Sequence, residues 1–257
     1  MTENPLVRIE QVSKTYSNQG HQLTILEDIS LELQDGEFYC LLGLNGSGKT
    51  TLLRLIAGLD YPSRGHIEVG GRPVTGPGRD RGMVFQDLAL FPWYTVRQNL
   101  EFPLRLAKLP SWEIDKQVER YLKATGLEKF ARAYPKELSG GMKQRLALGR
   151  ALIGRPKIVL MDEPFASLDI QTRNAMQKFF LELWLQTRQT VIFVTHSVDE
   201  ALFLADRVGA LTRPPARIGW EQAITLPRPR DRTDPDLVAM RRELLAFLEA
   251  QAGSLEG

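Results

Sequence analysis

Apolar and polar residues alternate at the start of the chain. Leu6-Val7-Arg8-Ile9-Glu10-Gln11-Val12 reads as a half-exposed strand. A second strand region spans 23–33, with Ile29, Leu31 and Leu33 on one face. Asp35-Gly36 then turns the chain into Phe38-Tyr39-Cys40-Leu41-Leu42, a short, wholly apolar run of the kind a buried parallel strand needs. A helix over 51–57 follows. Ile67-Glu68-Val69 ends at Gly70-Gly71, and Met83-Val84-Phe85 ends at Gln86. These early strands are expected to form an antiparallel layer.

From 88 to 154 the pattern turns helical. Thr95-Val96-Arg97-Gln98 is a capping box opening a helix that Pro103 is expected to bend or end. Ser111 is a candidate cap for a helix whose apolar positions Ile114, Val118, Tyr121 and Leu122 recur at helical spacing. Another helix starts at Gly140 and runs to about Ile153. The apolar runs 158–161 and 191–195 then read as core parallel strands. Ser197-Val198-Asp199-Glu200 is a second capping box, which puts His196 at a strand-to-helix junction. Past Asp206 come short strands and Pro227-Arg228-Pro229-Arg230-Asp231-Arg232, too punctuated for regular structure. An amphipathic helix over 235–251 closes the chain. There is no internal repeat.

Two of the strand ends carry chemistry. Gly43-Leu44-Asn45-Gly46-Ser47-Gly48-Lys49-Thr50 fits the phosphate-binding pattern G-x-x-x-x-G-K-[ST]. Its glycines let the backbone turn tightly and point N–H groups inward at phosphate oxygens. The helix that starts there adds the positive end of its dipole. Lys49 can reach the β- and γ-phosphates, and the Thr50 hydroxyl can ligate Mg²⁺. Much later, Ile158-Val159-Leu160-Met161-Asp162-Glu163 ends in two carboxylates. Neighbouring residues at a strand end point differently. Asp162 can therefore hold Mg²⁺ through water while Glu163 orients the attacking water.

The bulk numbers exclude more than they assign. A chain of 257 residues buries a full core, and 43% hydrophobic with 25% charged residues is ordinary for a soluble globular protein. A net charge of +2 does not point to nucleic acid or an anionic membrane surface. The single cysteine, Cys40, lies inside an apolar run and reads as a packing residue, compatible with a reducing compartment. No run approaches the ~18–20 apolar residues of a membrane span, and Met1-Thr2-Glu3-Asn4-Pro5 lacks a leader pattern. A cytoplasmic protein is expected, attached to a membrane only through a partner.

A third segment, Leu138-Ser139-Gly140-Gly141-Met142-Lys143-Gln144-Arg145, lies between the other two. In this order the three segments resemble the ATP-binding cassette subunits of membrane transporters, over roughly residues 6–251. The resemblance implies an α/β fold: a P-loop NTPase cassette with a RecA-like core, an antiparallel β layer and an inserted helical lobe. One cassette would span 1–257, with 1–87 and 155–257 as the core and 88–154 as the lobe.

The resemblance also implies site residues. ATP and Mg²⁺ are the expected ligands. Nucleotide contacts fall to Tyr16, which would stack on adenine, and to Gly43, Asn45, Gly46, Ser47, Gly48, Lys49, Thr50 and Thr51. Glu163, His196 and Gln86 match catalytic positions; His196 would contact the γ-phosphate. Thr50, Gln86 and Asp162 match the metal site. Ser139, Gly140 and Gly141 would bind the γ-phosphate held by a second subunit, and Asp169, in Ser167-Leu168-Asp169, would cross that interface. Lys143 and Arg145 receive no catalytic role.

Further cues narrow the group. Leu90-Phe91-Pro92-Trp93-Tyr94-Thr95-Val96 is in the style of importers. The aromatics there either pack inside the lobe or receive a short permease helix. Met142 and the Arg-Pro-rich tail resemble importers of the nitrate, sulfonate, taurine, bicarbonate and cyanate group. Expected partners are a second ATPase subunit (the same chain or a related paralogue), two membrane permease subunits and a separate solute-binding protein. No nucleic acid is expected. The chain would sit on the inner face of the plasma membrane through the permease. The alternative is a non-transport cassette acting in DNA repair or translation, disfavoured by the lack of sustained heptads and the single P-loop.

Overall fold

The computed structural model describes residues 4–18 and 21–253; residues 1–3, part of the stretch read for a leader, lie outside them. By compactness the chain divides into Met1–Gly78 with Thr190–Gly257, and Arg79–Gln189. The first unit opens with β1 (Val7–Asn18), β2 (His21–Leu33), β3 (Phe38–Leu42), α1 (Lys49–Ala57), β4 (Arg64–Val69) and β5 (Arg72–Pro73). The second holds β6 (Arg81–Val84), α2 (Val96–Leu106), α3 (Ser111–Thr125), α4 (Gly140–Ile153), β7 (Ile158–Asp162) and α5 (Ile170–Thr187). The chain then returns to the first with β8 (Thr190–Thr195), α6 (Val198–Leu204), β9 (Arg207–Leu211), β10 (Ile218–Ala223) and α7 (Pro235–Gly253).

In the first unit an antiparallel sheet runs β2-β1-β4-β5. Its register pairs Val7 with both Leu33 and Val69, and Ile9 with both Leu31 and Ile67. Every one of these residues is buried, because alternation puts them on one face. Separately, β3 lies parallel to both β8 and β9, and β10 joins β9 antiparallel. All residues of β3 and β8 are buried, as the apolar runs of covered parallel strands must be, with Thr190 and Thr195 at the two ends of β8. Cys40 is among them, and burial pushes its thiol well up, which fits the packing role read from the sequence.

The Arg-Pro stretch is irregular, as its punctuation predicts, but it is no loose polar loop. Arg230 is buried and donates to the carbonyls of Leu202 (2.9 Å) and Ala205 (2.6 Å) at the end of α6, and to Leu226 (3.2 Å). Arg228 donates to the Leu204 carbonyl (3.1 Å) and pairs with Asp206. Two guanidinium groups thus satisfy the orphan carbonyls of a helix C-terminus, where positive charge is also favoured by the dipole.

In the second unit β6 and β7 form a parallel pair, Arg81 opposite Ile158 through Val84 opposite Met161. The strand expected in the antiparallel layer at 83–85 therefore belongs elsewhere. Its partner, β7, lies far along the chain. α2, α3 and α4 pack on one another, and α4 also meets β6 and α5. The capping box at Thr95 is complete, but α2 runs through Pro103 to Leu106. Leu100 and Leu104 are buried on either side of the proline, and that packing outweighs the lost backbone bond. Pro110, not Ser111, takes the N-cap position of α3, and Ser111 is its first helical residue. At α6 the box is half made. Ser197 accepts from the Glu200 N–H, while the Glu200 carboxylate accepts the Thr195 hydroxyl at 2.6 Å instead. Among the described residues no helix is long and apolar enough to cross a membrane.

Candidate nucleotide site

Within the first unit, the end of β3 delivers the glycine segment. The Ser47 N–H closes a turn on the Leu44 carbonyl (3.1 Å). Gly46 and Gly48 sit at φ +79° and +92°, left-handed values that strain any L side chain. A Cβ at Gly48 would also stand 2.8 Å from Leu26 and 2.9 Å from Ile25, so the loop lies hard against β2. Gly48 is the N-cap of α1 and brings no side-chain cap, and the first turn has no acidic residue. The positive end of α1 is thus left for an external anion.

Lys49 is buried, and its Nζ donates to the carbonyls of Gly43 (2.9 Å) and Leu44 (3.0 Å). The ammonium is held inside the loop's curve. Ser47 is buried, and its Oγ has no hydrogen-bond partner. A cavity of about 280 Å³ opens beside it, lined by Leu44, Asn45, Ser47, Arg213 and Pro214. A curved backbone, a buried cation and an orphaned hydroxyl together suit a phosphate chain.

Two more predicted residues gather here. Leu42, the last residue of β3, is in register with Thr195, the last of β8. Gly43 and His196 therefore leave the same edge of the parallel strands, where open α/β sheets bind ligands. His196 is exposed, and its junction is braced by the Ser197 N–H on Thr195 Oγ1 (3.0 Å) and by the Thr195–Glu200 bond. Tyr16 lies within β1, opposite Leu23. Its hydroxyl donates to Asp60 Oδ2 (2.8 Å), just past the end of α1. Thr50 and Asn45 are exposed beside the loop.

Within the second unit, β7 is buried throughout and ends at Asp162. Glu163 follows at φ +44°, a left-handed value rare outside glycine, and such strain recurs at functional positions. Val84 is in register with Met161, so Gln86 and Glu163 leave the same end of the strand pair. Ser139 caps α4 by accepting from the Met142 N–H (3.3 Å). Gly140 and Gly141 are left at an open helix start, with nothing within 4 Å of a Cβ at Gly140. Asp169 caps α5 through the Thr172 N–H (3.0 Å), and that bonding holds its carboxyl below the usual carboxylate range.

Sequence reasoning missed the braces of this unit. The buried Gln144 donates its amide to the Pro164 carbonyl, tying α4 to the turn that carries Glu163. Arg150 donates to the Leu88 carbonyl (3.0 Å) and stacks 4.9 Å over Phe91, tying α4 to the segment after Gln86. Burial lowers its guanidinium to about 10, still charged at neutral pH. Gln144 lies inside a quoted motif, which could have flagged it; Arg150 had no such signal.

Comparison with known proteins agrees. The family described as ABC transporter matches residues 26–166. The nitrate import ATP-binding protein NrtD of Synechocystis sp. is 47% identical, over 95% of this chain and 96% of that protein. The aliphatic sulfonates import ATP-binding protein SsuB of Bacillus subtilis is 42% identical, over 95% and 94%. The ATP-binding cassette MJ0796, solved as a dimer in a post-hydrolysis state bound to ADP and Pi, is 31% identical with a TM-score of 0.74, over 88% of this chain and 99% of that one. With a glycine loop suited to phosphate at the end of β3 and likeness along nearly its whole length, the chain belongs to the ABC transporter family as an ATP-hydrolysing cassette.

Proposed function

We propose that this chain is the ATP-binding and hydrolysing subunit that powers import of a small anionic solute, of the nitrate, sulfonate or bicarbonate class, through a partner membrane permease. The observation that carries the reading is likeness to nitrate and sulfonate import ATP-binding proteins along 95% of the chain. A role in DNA repair or translation finds no support among these relatives.

In this reading Gly43, Asn45, Gly46, Ser47, Gly48, Lys49, Thr50 and Thr51 hold the phosphate chain, and Tyr16 stacks on the base. Glu163 orients and polarises the attacking water, Gln86 sits beside that water, and His196 contacts the γ-phosphate. Thr50, Gln86 and Asp162 would hold Mg²⁺, which supplies charge neutralisation on the β- and γ-oxygens. Ser139, Gly140 and Gly141 bind the γ-phosphate held by a second copy, with Asp169 at that interface. ATP then favours the closed pair over the open one, and hydrolysis releases it. Residues 88–154 form the lobe of this single cassette.

Phe91, Trp93, Tyr94 and Phe102 form a ring cluster with centroids 4.6–6.4 Å apart. Trp93 is 66% exposed, which favours a docking surface for a permease helix over purely internal packing. Two ATPase copies would thus sit on two permease subunits at the inner membrane face, with the solute delivered by a separate binding protein. The test is co-purification and reconstitution with a candidate partner permease. Uptake of nitrate, sulfonates or bicarbonate driven by ATP supports the reading. A complex that moves none of them, or a chain that binds no permease, overturns it.

A further inference from the structure

The ring of Tyr16 is held at its hydroxyl and over one face. Its hydroxyl donates to Asp60 Oδ2 at 2.8 Å. Lys14, two residues earlier on the same strand and buried, reaches Asp60 Oδ1 at 2.7 Å and the Tyr61 carbonyl at 2.8 Å. Its ammonium also stands 4.7 Å from the Tyr16 ring centroid. The Tyr61 N–H donates to Asp60 Oδ1 at 2.7 Å, so the carboxylate is itself oriented. One carboxylate thus joins a strand lysine, a strand tyrosine and the turn that follows α1.

We propose that Asp60, charge-paired with Lys14, is a positioning residue that fixes the Tyr16 ring for stacking on the nucleotide base. The inference rests on the reading that Tyr16 stacks on adenine. A stacking partner 40% exposed at the protein surface would otherwise rotate freely about its side-chain bonds, and ordering it would be charged against every binding event. The Asp60 bond fixes the hydroxyl end of the ring. The Lys14 ammonium occupies one ring face, leaving the base the other. Asp60 lies just past α1, whose first residue is Lys49, so the same bond ties the ring to the element that carries the glycine loop and sets the spacing between them. Base and phosphates of one nucleotide need that spacing to be met together.

The experiment measures dissociation constants for a non-hydrolysable ATP analogue and for inorganic tripolyphosphate by calorimetry on the full chain. Asp60→Ala and the milder Asp60→Asn are compared with Tyr16→Ala. The analogue is expected to weaken about fivefold for Asp60→Ala and at least as much for Tyr16→Ala, while tripolyphosphate, which has no base, is unchanged. Unchanged tripolyphosphate binding also shows the variants are folded. In a Tyr16→Phe background, which has no hydroxyl to hold, Asp60→Ala should have little further effect. If Tyr16→Ala leaves the analogue unaffected, base stacking itself fails. If Tyr16→Ala weakens it and neither Asp60 variant does, stacking stands and the positioning role is overturned. Equal loss for analogue and tripolyphosphate, or an Asp60 effect undiminished without the hydroxyl, likewise overturns it, since Asp60 would then act on the cradle or the fold.

Discussion

Glu163 and Lys49 make opposite demands on an experiment. Glu163→Gln keeps the glycine loop but removes the carboxylate proposed to polarise water, so turnover should fall by about 10²–10⁴-fold with ATP affinity retained. Phosphate-release assays and nucleotide titration separate the two, and near-normal turnover would remove Glu163 from that role. Lys49→Ala deletes the cation buried in the loop, and ATP affinity itself should weaken about 10–100-fold. Asp60 gives a pH signature. Burial opposes its charge, but bonds from Lys14, Tyr16 and the Tyr61 N–H outweigh this and hold the carboxyl below its usual range. Its pairing is therefore complete above the ordinary carboxylate range and lost only as pH falls through that depressed value. Its contribution to ATP affinity should stay flat between about pH 6 and 9.

At the scale of elements, two arginines do work that no local pattern announces. Arg230→Ala strips the donors from the end of α6, and stability should fall by about 2–4 kcal/mol. Urea unfolding should show a lower midpoint at unchanged slope, and Arg230→Lys should not restore it, because one ammonium cannot span those carbonyls. Arg150→Ala should raise hydrogen exchange in 86–91 while leaving tripolyphosphate binding at the β3 loop intact. The glycine loop, the strand ending in Asp162 and the helix start at Gly140 were legible from sequence because their chemistry demands fixed local spacing. Thr95 with Gln98 was legible for the same reason. The Asp60–Tyr16 bond, 44 residues apart, and Gln144 with Pro164, 20 apart, were not, since side chains that meet only after folding leave no periodic trace. Nor was the parallel partner of β6, found at 158–161. Pro103 does not end α2, because helix packing carries the helix past it, and the cap position read for Ser111 goes to the neighbouring Pro110.

For the whole molecule, the account turns on ATP as the joint between two copies. Neither the open helix start at Gly140 nor the loop at Lys49 is a complete site in this reading, and each is completed by the other's chain. Blocking hydrolysis should trap the joined state. The decisive measurement is the mass of the Glu163→Gln protein by size-exclusion chromatography with light scattering, in saturating ATP and in ADP. The account predicts twice the chain mass in ATP, the single-chain mass in ADP, and loss of the ATP-bound pair when Ser139→Arg is added. A single-chain mass in ATP, at concentrations where ATP is bound, would contradict it.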